Sequence, residues 1–323
     1  MKIKLPALSL LLYISLHADE YSFVMYNDFF VGTDRHFTNA VSLSWLEENE
    51  NNAYTNFVTS TLDALYFPLE TSKNYNAGVS INQIMITPND TTIDTPQYDD
   101  LPYAGYLSLN TYLFEWDSHS FNEYGIEVGI VGKASGAELM QKTVHKIIGN
   151  KGPNGWDTQL GTKYTVNLLL HHGVKQWQGK IKQNLQADWF YHYGLTLGTF
   201  DISTFGGTAF RIGKNYVHNF NSHYPYLKEE AGLLSVDELK KGFGWSASAG
   251  INGEYLAYSY ILHQAENDGY AADIEHVRVA ANFSASVYYN HHKFRFFYEI
   301  PSYYTKEETS VNIFGGFIYS YKF

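Results

Sequence analysis

Gln141 and His145 stand four residues apart, the spacing that aligns two side chains in one row along a helix. Within Ala137 to Gly149, Met140, Val144, Ile147 and Ile148 share one helical face, and Lys142 and Lys146 lie nearly opposite. The Gln141 and His145 row runs along the edge of the apolar face. A helix of this kind can lie against a protein wall or lipid while presenting an imidazole sideways. Imidazole is the one side chain whose unperturbed pKa suits a general base near neutrality. A surface histidine on a loop helix is the plainer account of His145, and the segment by itself leaves both open.

A second cluster is rich in oxygen. Asn27 and Asp28 precede a loop containing Thr33 and Asp34. Carboxylate, amide, hydroxyl and carbonyl oxygens are the ligand set of a hard cation such as Ca2+. A polar turn, with its charge paired to Arg35, explains the same residues without a metal. The third cluster runs from Lys133 to Lys151, where Lys133, Lys142, Lys146 and Lys151 meet one acid, Glu138, in a chain of net charge −11. That local reversal of sign suits a phosphorylated partner such as lipopolysaccharide, and solvated loop charge is the alternative. No Gly-X-Ser-X-Gly elbow is present, so a serine lipase site of that type is not expected.

The elements that must position these residues read as strands. Tyr124, Ile126, Val128 and Ile130 alternate with Glu123, Gly125, Glu127 and Gly129. Branched apolar groups on one face and charge on the other are what lipid outside and water inside demand. The same alternation runs from Trp245 to Tyr255, from Val277 to Val287, and through the terminal strand from Ile313 to Phe323. Weaker patterns cover about 21 to 30, 38 to 46, 74 to 87, 104 to 116, 161 to 173, 182 to 202, 205 to 216 and 292 to 304, about twelve strands in all. Residues 1–18 carry Lys2 and Lys4, an apolar run and a Leu16-His17-Ala18 cleavage site, so they are expected to be a removed signal peptide. Removing the two lysines with it leaves 20 basic residues against 33 acidic ones, which argues against a nucleic-acid partner. No later segment approaches the ~18 apolar residues of a membrane helix, so a spanning chain must close as a barrel.

The expectation is therefore an all-β, transmembrane antiparallel β-barrel of about twelve strands over 19–323, with one helix in an extracellular loop. With both termini periplasmic, all three polar clusters fall at the extracellular end. Two inner turns, about 47 to 73 and 217 to 242, are longer than periplasmic turns usually are.

Asn27-Asp28 followed by Thr33-Asp34-Arg35-His36-Phe37-Thr38-Asn39, then Pro102-Tyr103-Ala104-Gly105, then Gln141 to His145 followed by Gly155-Trp156-Asp157, resemble the lipid A 3′-O-deacylase family of Gram-negative outer membranes. The resemblance runs along most of the mature chain. It implies a twelve-stranded barrel, a site between the barrel wall and an extracellular loop helix, Ca2+ dependence, and hydrolysis of the acyloxyacyl chain at the 3′ position of lipid A. Carried over by motif, His145 resembles the base that activates water, Asp28 a calcium ligand, and Asn27 and Gln141 partners that orient the site. Asp28, Thr33 and Asp34 are thus the expected metal residues, and Lys133, Lys146, Lys151 and Trp156 the expected substrate contacts. The chain departs from the pattern at Asp100-Leu101, where the family has Asp-Arg, and at Asn39-Ala40, where it has Gly; the lysines are candidates to replace the missing guanidinium. A monomer acting on lipopolysaccharide in the outer membrane is expected. A passive channel and an adhesin-type barrel without catalysis are the competing classes, and inward Tyr106, Tyr112 and Tyr288 would obstruct the first.

Overall fold

The computed structural model describes residues 19–27, 36–47, 53–64, 72–148, 152–221, 227, 230–235, 241–308 and 313–323. The expected signal peptide at 1–18 and four expected site residues, Asp28, Thr33, Asp34 and Lys151, lie outside them. Twelve strands form one closed antiparallel barrel: β1 (Glu20–Asn27), β2 (His36–Glu47), β3 (Asn74–Thr87), β4 (Ala104–Trp116), β5 (Ser120–Val131), β6 (Lys163–Lys182), β7 (Leu185–Gly198), β8 (Asp201–Lys214), β9 (Phe243–Ser259), β10 (Val277–Tyr289), β11 (His292–Pro301) and β12 (Phe314–Lys322). Each strand pairs with its chain neighbours, and β1 closes on β12 from Glu20 opposite Lys322 to Asn27 opposite Gly315.

The alternation in sequence becomes an inside and an outside. Ile126, Val128, Leu168, Ile251 and Phe283 are exposed on the outer wall, whereas Glu123, Asn167, Asn252 and Asn282 are buried in the lumen. Tyr106, Tyr112 and Tyr288 do point inward and are buried, Tyr106 stacking on Phe200 with ring centroids 3.8 Å apart. The boundary of β6 and β7 differs from the expectation. β6 runs on to Lys182 because bulges between Lys175 and Trp177 and between Lys180 and Lys182 shift its alternation, which in sequence imitates a break. At its other end, the Asn167 side-chain carbonyl accepts the Phe200 and Asp201 backbone N–H groups, so the expected 182–202 strand stops at Gly198 and β8 begins.

Described residues in both long inner turns pack against the barrel. α1 (Ala53–Ala64) occupies the first and rests on β3, with the Thr55 hydroxyl accepting the Ala77 backbone N–H at 3.2 Å. The second folds back into the lumen. Phe220, Ala231, Leu233 and Leu234 are buried there, packed with Tyr112, Phe114, Phe121 and Phe190 of the strands. Arg211 holds this plug by donating to the Asn219 side-chain oxygen at 2.6 Å and backbone carbonyl at 2.8 Å, while its other N–H groups bind Asp188. Lys175 and Lys293 donate to the carbonyls of His218 and Gly232 at 2.6 and 2.7 Å. At the far rim, opposite the termini, α2 (Ala137–Ile148) follows β5 and α3 (Tyr260–Asn267) follows β9. The structure thus has three α-helices among the described residues where one was expected.

Candidate active site

Asn27 ends β1 at the far rim, and its register continues across the sheet. Asn27 stands opposite Asn39 in β2, Asn39 opposite Met85 in β3, and Met85 opposite Gly105 in β4. All four are outer-face positions: their neighbours Tyr26, Ala40 and Ala104 are buried toward the lumen. At about 5 Å per strand, Asn27 and Gly105 lie ~15 Å apart around the rim. A bulge interrupts β2 at Thr38, between Phe37 and Asn39, within the motif that carries the resemblance. Bulges recur beside active sites because they re-aim neighbouring side chains.

Gly105 is where the helix meets the wall. A Cβ there would overlap Ser135 Oγ and Ala137 Cβ, so only glycine lets the start of α2 approach β4. Gly132, at φ +90°, turns the chain out of β5, and its N–H donates to the Gly105 carbonyl at 2.8 Å. Gln83, on the outer face of β3, donates to the Ser135 carbonyl at 2.9 Å. Ala137 packs with Met85, Tyr103 and Trp156. Glu138 in the first turn and Lys146 in the last complement the helix dipole, and Lys142 pairs with Glu138 at 2.7 Å.

The helix turns its faces in the sense opposite to that of a helix on a water-soluble protein. Ala137 and Gln141 are buried, His145 is half-buried, and Leu139, Met140 and Val144 are exposed. The polar row therefore lies toward the barrel and the apolar row away from it. That is the stable orientation when the surroundings are acyl chains. Lys133, Lys142 and Lys146 are exposed.

Trp156, expected to touch substrate, is fully buried. It sits in a short 3-10 turn, Gly155–Thr158, against Tyr103 with ring centroids 5.0 Å apart, and its indole N–H donates to the Gln141 carboxamide oxygen at 2.7 Å. In this structure it supports the helix from beneath. Leu101, at the family's arginine position, is also buried, in an apolar cluster with Leu256, Leu262, Ala265 and Ala272. It braces the 88–103 loop by packing under α3, not by charge. The same loop is tied to the third cluster by Asn154, whose N–H and side-chain amide donate to the Thr91 and Thr92 carbonyls. Within it the Thr92 hydroxyl and N–H hold the Asp90 carboxyl below its ordinary pKa.

Two buried polar atoms at this site have no hydrogen-bond partner: Asn39 Oδ1 and Gln141 Nε2. Asn39 belongs to a quoted motif but had been given no role; its register opposite Asn27 is the signal that assigns it to the site. An unpartnered amide oxygen on an outer wall is the donor type a hard cation takes. Among the described residues no three His, Cys, Asp or Glu side chains form a metal cluster.

Comparison with known proteins agrees with this architecture. The solved structure of LpxR from Salmonella typhimurium matches with a TM-score of 0.70 and 14% identity, over 94% of this chain and 100% of that one. The β domain of the Bordetella autotransporter BrkA aligns at 0.48 with 8% identity over 95% and 100%, and the KdgM porin at 0.36 with 6% over 94% and 99%. No curated protein sequence matches. A family profile described as outer membrane protein LpxR matches residues 5–323. The chain belongs to the LpxR family of outer membrane proteins.

Proposed function

We propose that this protein is a Ca2+-dependent esterase that removes the 3′-acyloxyacyl chain from lipid A of lipopolysaccharide in the outer leaflet. The observation that carries the reading is the orientation of α2. A buried glutamine and a half-buried histidine stand on the side of the helix turned toward the outer wall, at the rim, with the apolar row facing away. His145 takes a proton from water as the hydroxyl oxygen adds to the ester carbonyl. The bond from that carbon to the 3′ oxygen then breaks, and the departing oxygen recovers the proton from the imidazolium. The products are a free acyloxyacyl acid and a 3′-hydroxyl.

Asp28 and Asn39, with Thr33 and Asp34, are the residues to hold Ca2+, and Asn27 orients them. When bound, the ion supplies positive charge for the carbonyl oxygen. Lys133, Lys146 and Lys151 meet the lipid A phosphates. The filled lumen speaks against a diffusion channel, and an adhesin has no use for a polar row turned toward its own wall. The protein acts as a monomer after removal of residues 1–18. Mass spectrometry of lipid A from cells expressing the chain with Ca2+ present tests the reading. A mass loss equal to one acyloxyacyl chain is expected, and unchanged lipid A would reject it.

A further inference from the structure

We infer that Trp156 is a positioning residue that locks the Gln141 carboxamide with its N–H groups free, so that Gln141 donates a hydrogen bond to an ester oxygen of the bound lipid. The inference rests on the esterase reading and deepens it. An indole N–H can only donate, so the group it meets at 2.7 Å must be the carboxamide oxygen. That fixes which end of the amide is which. Gln141 Nε2 is left buried and unpartnered, a buried donor in search of an acceptor.

The lock is rigid. Trp156 is fully buried against Tyr103, Met85 and Ala137. Its carbonyl accepts from the Gln159 side chain at 2.8 Å and backbone N–H at 3.3 Å, and the Leu160 N–H donates to the Tyr103 carbonyl at 2.9 Å. Gly155 leaves room for the Tyr103 ring beneath the turn, where a Cβ would overlap it. His145, one turn further along the helix, is a poor acceptor for the free donors. An N–H donated to one ring nitrogen of a neutral imidazole would leave the other carrying the proton, and the base would be lost. An ester carbonyl oxygen is the acceptor that gains most, because its charge grows as the hydroxyl oxygen adds.

Trp156→Phe keeps the ring and removes the N–H. In purified, refolded full-length barrel acting on lipopolysaccharide with Ca2+, it is expected to lower kcat ~tenfold with KM little changed. In a Gln141→Ala background the same change is expected to alter kcat less than about twofold, because the indole acts only through the amide. An equal loss in both backgrounds would overturn the inference and return Trp156 to a packing role. Gln141→Glu, which still accepts from the indole but has no donor, provides a second arm. A loss of ~100-fold in kcat with normal heat-modifiable gel mobility is expected, and wild-type kcat in this variant overturns the inference. Wild-type protein that releases no acyl chain sinks the esterase reading and this inference together, whereas an active wild type with additive losses sinks this inference alone.

Discussion

The His171–His192 pair in the lumen and His145 at the rim stand in contrasting surroundings. In the lumen, Glu123, His171, His192 and Asn252 form an unbroken row: His171 Nδ1 meets the Glu123 carboxylate at 2.9 Å, His171 Nε2 meets His192 Nδ1 at 3.0 Å, and His192 Nε2 meets the Asn252 side chain at 3.0 Å. All four are buried, and Phe121, Phe190 and Phe205 pack against the imidazoles. Every ring nitrogen there is already engaged, so the row has nothing left to offer a ligand. At the rim, by contrast, His145 is half-buried one helical turn from Gln141, whose amide is only half used. Unpartnered polar atoms also occur in the lumen, at Asn82 and Asn282, but a polar interior can supply water to them. At the rim, Asn39 Oδ1 and Gln141 Nε2 lie outside that interior, where the proposed substrate and its water meet the protein. Saturated hydrogen bonding marks the histidines that hold the lumen together, and at the rim it is the Gln141 amide beside the proposed base that keeps a donor in reserve.

That contrast breaks most directly on paired substitutions. His145→Ala is expected to cut acyl release by ~1,000-fold or more with the barrel folded, whereas His171→Ala keeps activity within about threefold and lowers unfolding stability by roughly 1–3 kcal/mol, as an interrupted buried network should. Lipid A mass spectrometry alongside heat-modifiable gel mobility separates the two; loss of activity in a folded His171→Ala barrel would reverse the assignment. Chelation of Ca2+, or Asp28→Ala, is expected to cost ~100-fold, and a chelator without effect would remove the ion from the mechanism. Gly105→Val inserts a branched side chain where α2 meets β4. It should lower acyl release ~tenfold by tilting the helix, without opening the barrel. Lys133→Ala, at an exposed position, is the smallest expected change, about twofold in KM and diminishing at high salt.

The sequence made the strands legible wherever lipid and lumen impose strict alternation, as in β5, β9 and β10. It failed where bulges move the period, in β6, and where apolar residues sit in what reads as a turn. Phe220, Leu233 and Leu234 were in view as a long inner connection, yet only folding back into the lumen explains why such residues occupy it. The helix bearing His145 was legible from its periodicity, but not which face it turns to the wall. That depends on the solvent outside, and periodicity carries no record of solvent. Trp156 looked like a contact because aromatics often are; the indole N–H bond that commits it to Gln141 is invisible in one dimension. At Leu101 the family's guanidinium, a group able to grip a phosphate or brace the loop, is missing, and the structure shows an apolar brace under α3 in its place.

The plug formed by Phe220, Ala231, Leu233 and Leu234 has a consequence for how the barrel meets its surroundings. Aromatic and aliphatic side chains occupy the lumen there, so the outer wall and the rim, rather than the bore, are the surfaces on which this barrel meets other molecules.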